Sequence, residues 1–358
     1  MTATTPATTM PLRLSRAAAV LTLLAVTVVL LAVLALAVGP VRVPLPDTIR
    51  VLVGAQPSDP RWQVIVANMR LPRVLTAIAA GSALAVAGLQ MQTLFRNTLA
   101  DPYVLGVCSG ACLGVAVAVI VGAGSGAGFI AGLAGAGRAG TVVAAVVGAA
   151  LVLAVVLTLA HWVRSAATLL LIGVMVGAAG TAATSVLVVY ADPRRIQQYL
   201  LWGLGSFAGT SWSDLRLLLP LTASGLVAAA LTIRPLNALL LGEGYARTMG
   251  IDVRRARVIT VASGSLLAGV TTAFCGPIAF VGLVVPHVSR IALGTSDHRV
   301  VLPGVVLMGA AVALGCAVVT QLPGTAAALP VNAITALIGA PIVVAVLMGS
   351  RRGWGMQR

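Results

Sequence analysis

Few side chains in this sequence can do chemistry, and their placement says more than their number. Cys108 and Cys112 stand four residues apart, so both thiols fall on one helix face. No histidine or carboxylate lies nearby to complete a metal site, and Cys108, Cys112, Cys275 and Cys316 all sit in apolar runs, where a thiol packs as a small hydrophobe. His287 and His298 flank a short polar turn beside Arg290, Asp297 and Arg299. Local hydrogen bonding accounts for them better than metal ligation does, and no metal site is expected. All 23 basic residues are arginine. A phosphate-cradling loop of the G-x-x-x-x-G-K-[ST] kind is therefore impossible; no cofactor is expected on this chain, and if ATP drives it, a separate subunit uses the ATP and Mg.

The eight carboxylates, Asp47, Asp59, Asp101, Asp192, Asp214, Glu243, Asp252 and Asp297, fall between or at the edges of the apolar runs. An ion-coupled carrier places carboxylates inside its bundle, and a membrane-embedded enzyme clusters His, Asp or Glu within spans. Neither pattern is present. What positions these residues is a membrane: 59% of residues are apolar and 9% charged, with a mean hydropathy of +1.06, far from the range of soluble domains. A hydrocarbon core needs roughly 20 apolar residues per helix. Ten spans follow, near 17–38, 74–95, 104–123, 140–162, 168–190, 217–233, 258–275, 276–293, 300–320 and 331–349. The first lacks a small-residue cleavage pattern and reads as an anchor rather than a signal peptide. Gly276-Pro277 divides a run too long for one helix.

A net charge of +15 raises the question of nucleic acid, but the arginines end apolar runs instead of forming a stripe with aromatics between them. Fourteen lie on one side (Arg13, Arg16, Arg96, Arg164, five from Arg234 to Arg257, Arg290, Arg299, Arg351, Arg352 and Arg358) and nine on the other. The richer side is the cytoplasm, which leaves 1–16 and 350–358 as cytoplasmic tails around a membrane domain at 17–349. The outer loop 39–73, with Arg42, Arg50, Arg61, Arg70 and Arg73, runs against that bias. Gly173, Gly177 and Gly180 recur at about one-turn spacing, which lets helices approach closely. A faint echo links Gly81-Ser82-Ala83-Leu84 to Gly264-Ser265-Leu266-Leu267. Five spans separate the two, so a repeat of this register is inverted in the membrane.

Several segments, in order, then carry a resemblance: Arg70-Leu-Pro-Arg73; Gly88-Leu-Gln-Met-Gln92; Arg96-Asn-Thr-Leu-Ala-Asp-Pro102 leading into Leu105-Gly106; Leu201-Trp-Gly-Leu-Gly-Ser206 with Trp212; Leu236 to Ala246 ending in Met249-Gly250; and Gly276 to His287 with Arg290 and Asp297-His-Arg299. Over residues 61–349 the chain resembles the FecCD family of binding-protein-dependent permeases, which serve iron–siderophore, haem and cobalamin importers. The resemblance implies an all-α bundle of about ten transmembrane helices, of the type II ABC importer permease kind with an inverted repeat, in the bacterial cytoplasmic membrane with both termini cytoplasmic. It implies four kinds of partner: a second permease subunit, identical or homologous; two ATP-binding subunits; an extracytoplasmic binding protein; and the lipid bilayer. The cargo is an iron–siderophore or related chelate, with cobalamin or haem as the alternative.

The loop at about 234–257 mixes helix formers with glycines, and by resemblance it is the coupling element seated on the ATPase. Its residues are Leu236, Asn237, Leu241, Gly242, Glu243, Ala246, Arg247 and Gly250, with Glu243 and Arg247 spaced to pair at i, i+4. Arg70 and Arg73, around the helix-starting Pro72, are implied to receive acidic residues of the binding protein; the residue-level alternative is headgroup anchoring. Spans five and ten are implied to face their copies across a dyad, with Thr181, Thr184, Ser185, Asn332 and Thr335 as the polar interruptions of the path. The chain departs from the family pattern at Thr98, Ala317, Gln321 and Ala328-Leu-Pro-Val-Asn332. Those from Ala317 to Asn332, at and after the end of span nine, leave the outer docking contact expected there without its usual residues.

Overall fold

Every backbone N–H and C=O placed in hydrocarbon must be satisfied within its own segment, so long uncharged runs fold as helices. The computed structural model describes residues 10–121, 137–163, 165–321 and 329–354, and among them all regular structure is helical. In chain order these are α1 (Met10–Ala37), α2 (Leu45–Leu52), α3 (Pro60–Leu94), α4 (Val107–Val121), α5 (Gly137–Trp162), α6 (Ala166–Val189) and α7 (Pro193–Gly203). They continue with α8 (Trp212–Leu231), α9 (Ile233–Leu240), α10 (Glu243–Thr248), α11 (Val253–Cys275), α12 (Val281–Leu293), α13 (His298–Val319) and α14 (Val331–Trp354).

Each of the ten expected spans has its helix. Seven, namely α1, α3, α5, α6, α8, α11 and α13, are long and apolar enough to cross a membrane, while the apolar parts of α4, α12 and α14 are shorter. The expected loop 234–257 is itself helical, folded as α9, α10 and the first turn of α11. Two further helices, α2 and α7, lie in what the hydropathy pattern leaves as connections. Both start at a proline-bearing turn, and Asp192 caps α7 by accepting the Arg194 N–H at 2.9 Å.

The interior is built on α3 and α11. From Pro72 to Leu94 nearly every residue of α3 is buried, because α13, α11, α12 and α8 surround it. Small residues make this possible. Gly81 and Gly309 face each other so closely that a Cβ on either would strike the other's carbonyl oxygen, and a Cβ on Gly88 would strike the Gly282 carbonyl oxygen.

After α3 the chain turns back into the bundle through 95–106, and after α11 it breaks at 276–280. Gly106 at φ 77° and Gly276 at φ 75° make the two turns. Irregular backbone inside such a bundle needs internal partners. One side chain joins the two breaks: the Tyr103 hydroxyl donates to Ile278 O and accepts the Ile278 N–H, both at 2.9 Å. Each long central helix is thus followed by a break and a short helix, α3 by α4 and α11 by α12. The two halves run oppositely, because the first half of α3 lies beside Thr210 and Trp212 whereas α11 ends beside Ser206. This is the inverted repeat that the echo between 81–84 and 264–267 anticipates.

Candidate functional site

Three places hold the residues singled out by sequence: the end of the bundle bearing α9 and α10, the opposite end bearing α2, and the flanks of α6 and α14.

At the first, α9 buries Leu236, Ala238 and Leu239 against the bundle, and α10 buries Ala246. Leu241, Tyr245, Arg247, Met249 and Gly250 remain exposed, Leu241 at 64% and Met249 at 58%. Gly242 at φ 111° and Gly250 at φ 76° form the corners around α10, conformations that a side chain would strain. The Glu243–Arg247 pair forms, with 3.6 Å between charged atoms. A shorter partner was not visible in the spacing: Arg257 Nη2 donates to Glu243 Oε1 at 2.8 Å and ties α10 to α11.

Sequence reasoning also missed a polar cluster beneath this surface. Asn237 donates through Nδ2 to Asp297 Oδ1 at 2.6 Å, and its Oδ1 accepts the His298 N–H at 2.8 Å. The His298 ring lies between Asn237 Oδ1, 2.7 Å from Nδ1, and Thr93 Oγ1, 2.9 Å from Nε2. The local hydrogen bonding expected at His298 therefore reaches two other helices. Asp297 caps α13 by accepting the Arg299 N–H at 2.9 Å, which together with Asn237 holds its carboxyl below the usual range although desolvation opposes it. His287, by contrast, sits half-buried on α12. Among the described residues no three His, Cys, Asp or Glu side chains gather into a possible metal site.

The segment Gly88–Gln92 supplies further links. Ser263 donates to Gln90 Oε1 at 2.9 Å; Gln92 donates to Leu283 O at 3.0 Å and accepts from Arg290 Nη1 at 2.8 Å. One turn of α3 is thereby bonded to α11 and α12.

At the opposite end the structure places Arg70 and Arg73 where the sequence reading does not. Both are buried, at 5% and 7% exposure. Arg70 Nη1 donates to Leu36 O at 2.6 Å and Ala37 O at 2.8 Å, and Nη2 to Val41 O. Arg73 Nη2 donates to Ala317 O and, at 2.8 Å, to Thr320 Oγ1. Each guanidinium thus closes the C-terminal carbonyls of a helix, α1 and α13, where positive charge also suits the dipole. This corrects the expectation of two outward-facing guanidinium groups. A cavity of about 300 Å³ beside them is lined by Ile65, Met69, Ala208 and Gln321. Arg42, Arg50 and Arg61, beside this corner, are exposed. Arg50 and Ser58 both bond Asp47, at 3.1 Å and 2.6 Å.

On α6 and α14 the polar interruptions are quieter than expected. Thr181, Thr184 and Ser185 each donate to the carbonyl four residues back, at 3.0, 2.9 and 3.0 Å, and Thr335 donates to Asn332 O at 3.1 Å. Thr181 and Ser185 are exposed; Thr184 and Thr335 are turned into the protein, so within a single chain they line no open path. Asn332 holds the break before α12, accepting the Ala279 N–H at 3.1 Å. Of the departures from the family pattern, Ala317 contributes its backbone oxygen to Arg73 and Ala328 lies outside the described residues.

These arrangements make a membrane bundle with a stiff centre, an apolar exposed knob at one end and chemically inert flanks. The model of the FecCD transport family matches residues 26–349. The chain is 35% identical over 309 residues to the hemin transport system permease protein HmuU of Yersinia pestis, covering 84% of this chain and 88% of that one. It is likewise 35% identical over 293 residues to the vitamin B12 import system permease protein BtuC of Escherichia coli, covering 82% and 86%. Among solved structures, an inward-facing metal-chelate type ABC transporter superposes with a TM-score of 0.78 at 29% identity, covering 92% of this chain and 98% of that one.

Proposed function

The chain belongs to the FecCD transport family, and on that premise we propose that it conducts an iron–siderophore chelate, with haem or cobalamin as the second reading. It is a permease subunit of an ABC importer of the metal-chelate, haem or cobalamin type. In the proposed assembly it lies in a bacterial cytoplasmic membrane, α9 and α10 and both termini facing the cytoplasm. It pairs with a second permease subunit, two ATP-binding subunits and an extracytoplasmic binding protein. ATP and Mg bind the partner subunits, and closure of those subunits shifts the bundle between outward- and inward-open states.

The observation that carries this reading is the surface of α9 and α10. Leu241, Tyr245 and Met249 are exposed apolar side chains next to Arg247, on an element pinned to the core by Leu236, Asn237 and Ala246. An apolar knob at a polar end of a membrane protein fits a groove on a soluble partner. Glu243 and the corner glycines Gly242 and Gly250 set its shape. Thr181 and Ser185, with the apolar faces of α6 and α14 around Asn332 and Thr335, form the proposed path, whose lack of free polar groups gives a bulky chelate little to adhere to. For the outer face, docking of the binding protein falls to the exposed Arg42, Arg50 and Arg61, with Arg70 holding the start of their loop at Ala37 and Val41.

Replacing Glu243 and Arg247 together by Ala in the reconstituted complex tests the coupling role. Uptake per ATP hydrolysed is expected to fall about tenfold, the size of one lost charge-assisted contact, with membrane insertion intact. Unchanged uptake per ATP would remove the coupling assignment. The cargo is tested separately, by identifying the compound held by the cognate binding protein; haem or cobalamin there selects the second reading.

A further inference from the structure

The knob formed by α9 and α10 can act on the bundle only if its displacement reaches α3, the helix that α8, α11, α12 and α13 enclose. Apolar contacts between α9 and its neighbours transmit a push, but they slide under a pull. A directional link needs hydrogen bonds whose partners are fixed on both sides. One such chain runs from α9 to α3: Asn237, the His298 ring at the head of α13, and Thr93 near the end of α3.

The orientation of each group along that chain is determined. Asn237 Nδ2 points at the Asp297 carboxylate and its Oδ1 accepts the His298 backbone N–H, so the carboxamide cannot be turned over. Oδ1 is purely an acceptor, so the His298 Nδ1 beside it carries a proton. In the neutral ring Nε2 is then an acceptor, and it takes the Thr93 hydroxyl hydrogen at 2.9 Å. That hydrogen has a competitor, Leu89 O, also at 2.9 Å. Thr93 therefore has two settings: bonded to His298 when α9 and α13 sit close to α3, and bonded back onto its own helix when they move away. Thr93 and His298 are both buried, at 2% and 1% exposure, so water does not replace a broken link.

We propose that Asn237, His298 and Thr93 form a hydrogen-bonded latch that carries movement of the ATPase-facing knob to α3, with His298 as the positioning residue and the Thr93 hydroxyl as the contact that makes and breaks. The latch rests on the coupling role proposed above for α9 and α10. It assigns to Asn237 a job directed inward at the bundle, not outward at the partner.

The test uses the full complex with its ATPase and binding protein in proteoliposomes, reading ATP hydrolysis and uptake in parallel. Thr93→Val removes the hydroxyl at constant shape, and His298→Gln keeps a polar reach toward Thr93 while losing the Nδ1 bond to Asn237. Both are expected to lower uptake per ATP about tenfold, the weight of one buried hydrogen bond, and Thr93→Ser is expected to restore it. A purely structural role would lower thermal stability in Thr93→Val and leave the ratio of uptake to hydrolysis unmoved; that outcome, in an assembled complex, overturns the latch. The Glu243→Ala, Arg247→Ala double variant is the internal reference. If it uncouples while Thr93→Val does not, the latch alone is wrong. If neither uncouples, the coupling role falls and the latch with it.

Discussion

Asp47 shows how a single outer side chain fixes a loop that hydropathy leaves blank. The Ser58 hydroxyl and N–H, at 2.6 and 2.9 Å, hold its carboxyl below the ordinary value of 3.8, with Arg50 adding to them and desolvation opposing. A carboxyl whose folded pKa is depressed contributes stability above its unfolded value and loses it as pH falls through the folded one. Hydrogen exchange across 45–62 is therefore expected to stay protected at neutral pH and to open below about pH 4. Ser58→Ala should move that opening upward in pH; an onset that does not shift would show that the loop is held otherwise. Arg70 and Arg73 teach a different lesson at the same scale. Their type and the proline between them were legible, but the carbonyls they bond lie on Leu36 and Ala317, far away in sequence, and no local pattern announces that a guanidinium will turn inward to close another helix. Arg73→Ala removes a charged donor from two buried acceptors and is expected to cost about 3 kcal/mol, read as a lowered midpoint of thermal unfolding in detergent.

The helices themselves were legible because lipid imposes their length, and composition carries that signal without help from tertiary contacts. The break at Gly276-Pro277 was legible for a similarly local reason. Two features were not. The re-entry through 95–106 depends on Tyr103 finding Ile278, a contact between the two halves of the repeat. The amphipathic α2 and α7 are too short for a hydropathy window, although the Asp192-Pro193 start was there to be read. Glycine placement turns this into a prediction about elements. A Cβ at Gly88 would overlap the carbonyl of Gly282 and force α3 from α12, whereas at Gly315 it would meet nothing within 4 Å. Gly88→Ala should therefore destabilise the bundle by about 1–3 kcal/mol or more, as overpacking does, and Gly315→Ala should be near neutral. Equal melting temperatures for the two variants would contradict the close α3–α12 packing.

At the scale of the whole molecule, the separation of chemistry from conduit rests on where charge is absent. Of the described carboxyl groups, Asp101 lies on the re-entrant segment 95–106, where it accepts the Tyr103 N–H at 2.9 Å. A carboxyl on a re-entrant segment is the group a proton-driven carrier would use, so its bonding decides between a coupled carrier and a passive bundle. Its bonding argues for the passive one: Asp101 caps the 102–105 turn that holds Tyr103 against Ile278, a static joint between the two halves. The purified chain alone, in liposomes under a proton or sodium gradient, is expected to accumulate no chelate, while the complex with ATPase and binding protein accumulates it on ATP whether residue 101 is Asp or Asn. Uphill uptake by the lone chain that Asp101→Asn abolishes would make this bundle its own motor, and the knob of α9 and α10 would then need another use.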